Sequence, residues 1–199
     1  MEKLKILLAK GRIYESVHEL LKDVGISINL PDRTYLPTQN KKDLAFQVVK
    51  PQITSLLLAN NKADVGFSGK DWVYENGVQD DVIEIMDLGF DPVRIVAAIP
   101  ESENYEELLK HHVTIATEYQ KLSSNWVNDK KIDGTIFRTW GTSEGFVQGT
   151  EDSIAQILID NTSTGSSLRA NRLKIVETLM ESSTRMYASK KAMEDPAKK

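Results

Sequence analysis

The chain has no cysteine among its 199 residues, which excludes disulfide bridges and metal sites built from thiolates. Its apolar runs are short, and none approaches the ~20 residues with which a helix crosses a membrane. The N-terminal apolar run, Ile6 to Ala9, is too short for a secretory signal, so we expect a cytoplasmic protein without a membrane partner. Basic residues are not in excess either. The formal net charge of −4 creates no overall field for nucleic acid, so an anionic ligand would need local positive groups.

Histidine and tryptophan are also scarce, with three of each. His18, His111 and His112 show no spacing with nearby acids that is typical of a metal site, so we expect them on the surface. The tryptophans are expected to pack in the core, although Trp140 stands beside a glycine turn and could flank a base.

Short apolar runs alternate with helical patterns along the whole chain, which predicts an α/β fold. The predicted strands are 4–9, 44–49, 63–69 with its closing turn, 82–88, 93–99, 113–116, 135–138, 157–159, 174–179 and 185–188. The predicted helices are 13–24, 53–59, 105–110, 122–127 and 168–173, with others opening at Lys70 and near Glu151. The last ten residues, 190–199, are charged and expected to fray.

Two crossings of the chain divide it into two lobes, residues 1–90 plus 174–199 and residues 91–173. We expect the second lobe to carry the main ligand loop and a ligand cleft to lie between the lobes, which is a usual place for a small-molecule site.

The most informative stretch is ILIDNTSTGSSLRAN, residues 157–171. An apolar strand ends on Asp160 and is followed by small hydroxyl residues around Gly165, then by a helix. Glycine lets the backbone approach an anion closely, and a helix N-terminus points N–H groups at it. Asp160 could hold sugar hydroxyls or a magnesium ion that accompanies pyrophosphate. The stretch is equally consistent with an ordinary N-cap loop, where serine and threonine are favoured for structural reasons.

A second candidate site is the turn Lys10-Gly11-Arg12, which joins the first strand to the first helix. In an open α/β sheet such a turn lies at the ligand-binding edge. Lysine and arginine suit phosphate, arginine through two parallel hydrogen bonds. Two solvated cations after a strand would be the structural alternative.

Several motifs, taken in order, resemble the ATP phosphoribosyltransferase family. They are LLAKGR at the start, ADVGFSGKD (63–71), DLGF (87–90), IATEY (115–119), the turn from Gly141 to Glu144, and DNTSTGSSLRAN (160–171). Each motif is weak alone, but the ordered set is specific and covers nearly the whole chain.

The resemblance implies two lobes similar to type II periplasmic binding proteins. It also implies the first reaction of histidine biosynthesis, in which N1 of the adenine of ATP attacks C1 of phosphoribosyl pyrophosphate. Phosphoribosyl-ATP forms and pyrophosphate leaves, with Mg2+ as the cofactor. The chain looks like the short, catalytic-only form of the family, which implies an oligomer with a regulatory subunit resembling a histidyl-tRNA synthetase.

The resemblance also implies roles for particular residues. The phosphoribosyl pyrophosphate site would be formed by Asp160, Ser163, Thr164, Gly165, Ser166 and Ser167. The nucleotide site would be formed by Lys10, Gly11, Arg12 and Asp71, of which Asp71 has a plain N-cap role as its alternative. The catalytic residues would be Lys10, Arg12, Glu144 and Asp160, and the magnesium ligands Asp160 and Glu144.

The chain departs from the family pattern at several positions. The family usually has an acid four residues before Asp160, where this chain has Gln156. It usually has apolar residues at Asn161 and Thr162, and often glycine at Arg172. These departures bear on metal binding and turnover, so a catalytically weak paralogue stays open as an alternative. A small-anion binding module with the same two-lobed fold is the other alternative.

Overall fold

The computed structural model describes residues 3–150 and 152–198. The strands are β1 (Leu4–Ala9), β2 (Ile28–Asn29), β3 (Thr38–Gln39), β4 (Leu44–Val49), β5 (Val65–Gly69), β6 (Val82–Pro100), β7 (Val113–Thr117), β8 (Gly134–Arg138), β9 (Ile157–Thr162) and β10 (Leu173–Ser189). The helices are α1 (Arg12–Asp23), α2 (Pro51–Ala59), α3 (Lys70–Glu75), α4 (Tyr105–Leu108), α5 (Gln120–Lys130), α6 (Ser166–Ala170) and α7 (Lys190–Glu194), with a 3-10 turn at Ser143–Phe146. None of these helices is long and apolar enough to cross a membrane.

The chain folds as two compact units, residues 1–92 plus 183–199 and residues 93–182. In the first unit the strand order is β4-β1-β5-β10, in which β1 pairs parallel to β4 and β5 and β10 runs antiparallel. Helix α1 covers this sheet through Val17 and Leu21, which are buried as their helical spacing predicts. Gly25 has a φ of 76° and ends the helix segment with a hydrogen bond to Lys22.

In the second unit the strand order is β6-β9-β7-β8. Strands β7, β8 and β9 are parallel, and β9 pairs antiparallel with β6. The core on one face contains Val96, Leu158 and Leu168, which are almost fully buried. The α/β class is therefore confirmed, and the parallel strands place their carboxyl ends at one edge of each unit's sheet.

In two places, strands that were predicted as separate form one long strand. Residues 82–88 and 93–99 belong to β6, although Gly89 and Asp91 adopt positive φ values of 66° and 49°. The interruption expected between residues 88 and 93 does not occur, and the neighbouring strand β10 forms hydrogen bonds with this irregular segment. The Ser183 hydroxyl donates to Asp87 at 2.8 Å and the Thr184 hydroxyl to Asp91 at 3.3 Å. Residues 174–179 and 185–188 likewise join in β10.

Three further predictions need correction. The helix predicted near Glu151 starts on a residue outside the described ones, and residues 152–156 are turn and irregular backbone. The helix after the hydroxyl loop begins at Ser166, not Leu168, and spans five residues. The end of the chain does not simply fray, because Lys198 forms an ion pair with Asp64 at 3.0 Å, and both side chains are nearly buried.

Candidate functional site

The second unit brings three loops to one edge of its sheet. Strands β7, β8 and β9 are parallel and adjacent, so the segments that follow them meet at their carboxyl ends. Those segments are Glu118-Tyr119, the turn from Thr139 to Phe146, and the loop from Ser163 to Ser167, and Asp160 lies two residues before the end of β9. The sequence motifs that are far apart along the chain are therefore neighbours here.

Glu144 is held by a short 3-10 turn. The buried hydroxyls of Thr139 and Ser143 are 2.7 Å apart and tie the turn to the end of β8. Gly141, with a φ of 100°, makes the bend before the turn. Glu144 then accepts a hydrogen bond from the hydroxyl of Ser167, so the glycine turn and the hydroxyl loop are in direct contact.

Asp160 is the most perturbed acid of this edge. It lies inside β9, opposite Val96 of β6, and not at the strand end as predicted from the apolar run. Burial raises the pKa of its carboxyl to about 7, with further increases from Glu144 and Glu118. Hydrogen bonds from the Asn161 N–H, at 2.7 Å, and from Ser143 act in the opposite direction. Two neighbouring carboxylates therefore add to the effect of burial, and both disfavour the ionised form of Asp160.

The hydroxyl loop from Thr162 to Ser167 is closed by its own side chains. Gly165 has a φ of 74°, and its N–H donates to the Thr162 hydroxyl at 2.9 Å. The Thr164 hydroxyl donates to Ser166 at 3.0 Å. The following helix has only five residues, so hydroxyls and loop N–H groups, more than a long helix dipole, are what this loop offers an anion.

Sequence reasoning missed two residues of this edge as site residues. The charge of Glu118 raises the pKa of Asp160. The hydroxyl of buried Tyr119 accepts a hydrogen bond from the Asn161 amide at 3.0 Å. The position of both residues directly after a predicted parallel strand could have identified them, but IATEY was used only as a family motif. Asn161, a departure from the family pattern, therefore has a defined partner.

Gln156 lies away from the site. Gln156 directly precedes β9, and its side-chain oxygen accepts a hydrogen bond from the N–H of Thr114 in β7 at 2.8 Å. Four residues of extended strand separate it from Asp160, or ~13 Å at the usual rise per residue. A carboxylate at position 156 would not share a metal ion with Asp160, so this departure does not weaken that site.

Arg172 occupies a backbone position that glycine tolerates best. Its φ is 55°, in the left-handed region that costs a non-glycine residue ~1 kcal/mol. The family's frequent glycine at this position thus reflects backbone conformation, and the Arg172 side chain is exposed.

The first unit holds the Lys10-Gly11-Arg12 turn. Lys10 follows β1, Gly11 has a φ of 92° and precedes the first turn of α1, and Arg12 opens the helix. Lys10 and Arg12 are both exposed. A cavity of about 400 Å³ lies beside the turn, and its lining includes Lys10, Gly11, Tyr14, Leu30, Arg33 and Tyr35. The Lys10 ammonium is 5.8 Å from the centre of the Tyr35 ring.

Asp71 is not grouped with these residues in that cavity. It is 4% exposed and lies in the first turn of α3, where Gly69 is the N-cap. The simple N-cap role is therefore wrong for Asp71, and it does not line the cavity. Its strand, β5, is parallel to β1, so both turns follow carboxyl ends at the same edge of this unit's sheet.

The histidines and tryptophans are arranged partly as expected. His111 and His112 are exposed, but His18 is half-buried against Tyr14, with ring centres 5.7 Å apart. Trp72 and Trp126 are buried, whereas Trp140 is 81% exposed and carries the Arg138 guanidinium 4.0 Å from its ring centre.

Within the described residues, side chains alone do not offer a cluster of metal ligands. No group of three or more histidine, aspartate or glutamate side chains is placed to hold an ion by itself. Asp160 and Glu144 nevertheless share one edge of the sheet, where burial and then the charges of Glu144 and Glu118 raise the pKa of Asp160. Two carboxylates fit magnesium when phosphate oxygens and water complete its shell.

Comparison with known proteins gives a consistent result. The family model described as ATP phosphoribosyltransferase matches residues 50–199. An ATP phosphoribosyltransferase of Chlorobium phaeovibrioides (strain DSM 265 / 1930) is 33% identical over 204 residues, a match that covers 98% of this chain and 67% of that protein.

Solved structures show the same fold. The ATP phosphoribosyl transferase (HisG:HisZ) complex from Thermotoga maritima superimposes with a TM-score of 0.83 at 23% identity, covering 98% of this chain and 91% of that one. A protein bound to L-arginine superimposes with a TM-score of 0.60 at 12% identity, covering 94% of this chain and 77% of that one. The likeness to periplasmic binding proteins expected from the sequence is thereby confirmed as a likeness of fold.

Proposed function

This chain belongs to the ATP phosphoribosyltransferase family, and from that premise we propose which of its residues bind each substrate. The enzyme joins ATP to phosphoribosyl pyrophosphate in the first step of histidine biosynthesis. N1 of adenine attacks C1 of the ribose, the bond from C1 to the pyrophosphate oxygen breaks, and pyrophosphate leaves. Positive charge develops on the sugar and negative charge on the leaving group, so the protein has to position two anions and stabilise both charges.

The donor, phosphoribosyl pyrophosphate, binds at the carboxyl edge of the second unit's sheet. The contact between Ser167 and Glu144 is the observation that carries this proposal, because it joins the hydroxyl loop to the acidic turn. The loop residues Ser163, Thr164, Gly165, Ser166 and Ser167 hold a phosphate of the donor. Asp160 holds ribose hydroxyls and, when ionised, stabilises the positive charge that develops on the sugar.

A divalent cation fits the same edge. Members of this family need a divalent metal, and we infer that it is magnesium here. Asp160 and Glu144 would hold it together with oxygens of the donor. When bound, magnesium neutralises charge on the pyrophosphate. The two carboxylates cannot form a complete metal site alone, so metal and donor should bind to this chain together.

ATP uses the first unit. Lys10, Gly11 and Arg12 form an exposed cationic turn beside a cavity of about 400 Å³. Tyr14 and Tyr35 give that cavity apolar ring surface, which suits a nucleotide base, while Lys10 and Arg12 suit its phosphates. Asp71 follows a neighbouring parallel strand and contributes at the same edge.

The chain also acts with a partner. The related complex from Thermotoga maritima contains two kinds of subunit, HisG and HisZ. We infer that this chain likewise forms an oligomer with a regulatory subunit resembling a histidyl-tRNA synthetase. We also infer a cytoplasmic location, which is consistent with a biosynthetic enzyme of this family.

The test is an assay of phosphoribosyl-ATP formation from both substrates, with and without magnesium and with and without such a partner subunit. We expect product only when magnesium is present, and more product with the partner. Product formation without any divalent cation would contradict the metal proposal. An unchanged rate on adding partner subunits that bind the chain would contradict the regulatory proposal.

A further inference from the structure

The hydroxyl loop carries a positive side chain that comes from the helix after it. Arg169 lies in the last turn of α6, and its side chain reaches back to Thr164 and Gly165 of the loop. Its Nη1 donates a hydrogen bond to the backbone carbonyl of Thr164 at 2.9 Å. One of the five guanidinium N–H donors is therefore used on the loop, and four others are left.

Gly165 leaves the space that this guanidinium occupies. A Cβ atom at position 165 would lie 3.0 Å from Nη1 of Arg169 and 4.0 Å from the central carbon of the guanidinium. The flat cation thus lies against the bend of the loop, and the bend needs glycine for its φ of 74° as well as for this approach.

The charge around the loop makes this cation significant. Glu144 accepts a hydrogen bond from Ser167 of the loop, and Glu118 adds to the negative field at Asp160. Arg138, the last residue of β8 at the same edge, stacks its guanidinium on Trp140. A phosphate that approaches the loop would meet carboxylates on one side, and Arg169 supplies positive charge in direct contact with the loop.

We propose that Arg169 is a phosphate-binding residue for phosphoribosyl pyrophosphate, in addition to the loop hydroxyls. One N–H holds the Thr164 carbonyl and so fixes the bend, and the remaining donors contact a phosphate of the donor. This inference rests on the proposed donor site. A hydrogen bond from a charged donor to phosphate is stronger than a neutral one, so Arg169 should contribute more to donor affinity than any single hydroxyl of the loop.

The test compares Arg169→Ala and Arg169→Lys with the matched control Arg172→Ala. Arg172 carries the same charge three residues later, and its side chain is exposed. Calorimetric titration with phosphoribosyl pyrophosphate and magnesium gives the donor affinity, a separate titration with ATP gives the nucleotide affinity, and thermal unfolding gives stability.

We expect Arg169→Ala to weaken donor binding by ~10- to 100-fold, the range for loss of a charged hydrogen bond, with ATP affinity within ~2-fold. Arg169→Lys should lose less donor affinity than Arg169→Ala, because lysine keeps the positive charge but lacks the several fixed N–H donors of the guanidinium. Arg172→Ala should stay within ~2-fold of the original protein. Equal losses for Arg169→Ala and Arg172→Ala, or an unchanged donor affinity in Arg169→Ala, would overturn the proposal.

A loop variant separates this inference from the proposed donor site. Gly165→Val is strained at a φ of 74° and blocks the bend. If Gly165→Val abolishes donor binding while Arg169→Ala leaves it unchanged, only the role of Arg169 is wrong. If a well-folded Gly165→Val also binds the donor normally, the donor site itself is elsewhere.

Discussion

The two candidate sites differ in how far their residues are already joined. In the second unit, Asp160, Glu144, Ser143 and the hydroxyl loop are connected by hydrogen bonds and by mutual electrostatic effects. In the first unit, Lys10 and Arg12 are exposed cations beside an open cavity. One site is a preformed, strongly acidic network, and the other is a cationic turn that leaves its charges in water.

The difference indicates different tasks. Burial, with the neighbouring carboxylates Glu144 and Glu118, raises the pKa of Asp160, so its ionised form is unfavourable in the empty protein and is stabilised by a cation or a developing positive charge. That suits the sugar that becomes positive during the reaction. Exposed cations such as Lys10 and Arg12 destabilise the ligand-free protein little, and they attract phosphates. That suits a substrate whose phosphates only have to be bound.

The largest effect is expected from removing the central charge of the acidic network. Asp160→Asn should lower turnover by ~100-fold or more, because a charge aimed at the developing positive sugar is lost. The fold should be retained, as judged by circular dichroism. Asp129→Asn, an exposed residue of α5 in the same unit, is the control and should change turnover less than ~2-fold. Equal turnover in Asp160→Asn and the original protein would remove Asp160 from the site.

The same substitution lowers turnover but should stabilise the ligand-free protein at neutral and higher pH. The folded pKa of Asp160 is about 7, against 3.8 for an ordinary aspartate, so the folded state holds its proton more tightly. The contribution of Asp160 to the free energy of unfolding should therefore fall between pH 4 and pH 7 and stay low above that range.

Thermal unfolding of the ligand-free protein can measure this effect. At pH 8 the free energy of unfolding of Asp160→Asn should exceed that of the original protein by ~1–3 kcal/mol, which raises its Tm by ~2–8 °C. At pH 4 the two proteins should have the same Tm. A lower Tm for Asp160→Asn at pH 8 would show that the carboxylate is not electrostatically unfavourable in the empty site.

A smaller loss is expected in the cationic turn. Lys10→Ala should weaken ATP binding by ~10-fold, because one exposed charge–phosphate contact is lost, and should leave donor binding within ~2-fold. Lys62→Ala, an exposed lysine of the same unit, is the control. Titrations with each substrate separate the effects. An equal loss of affinity for both substrates would mean that the two units do not divide the ligands in this way.

The individual hydroxyls of the loop should matter less. Ser167→Ala removes the contact with Glu144 but leaves the other loop donors, so donor affinity should fall only ~3- to 10-fold. Ser124→Ala on α5 would serve as the control for a serine outside the loop. A loss as large as that of Asp160→Asn would mean that Ser167 acts through Glu144 and not as one donor among several.

The smallest effect is expected at Gln156. Gln156→Asp should not raise turnover, since the side chain bonds the Thr114 backbone and is ~13 Å along the strand from Asp160. Loss of that bond should instead cost ~1 kcal/mol of stability. Gln156→Asn, which stays neutral, is the comparison. A marked increase in turnover for the aspartate alone would support the weak-paralogue alternative, which was based on Gln156 and Asn161.

The sequence predicted most of what depends on local pattern. The alternation of apolar runs and helical spacing located the parallel strands, and therefore the turns at Lys10 and Glu144. The long strands β6 and β10 could not be foreseen, because Gly89 and Asp91 resemble turn residues and only their cross-strand partners keep them in the sheet. The roles of Glu118 and Arg169 depend on which side chains meet across loops, which spacing along the chain does not reveal.

The most direct test of the account is a crystal structure of the chain soaked with phosphoribosyl pyrophosphate and magnesium. The account predicts density for the ribose at Asp160 and for a phosphate on residues 163–167, within hydrogen-bonding distance of the loop. Density for the sugar phosphate at another place, with Asp160 and the loop bonded only to each other as in the ligand-free protein, would contradict it.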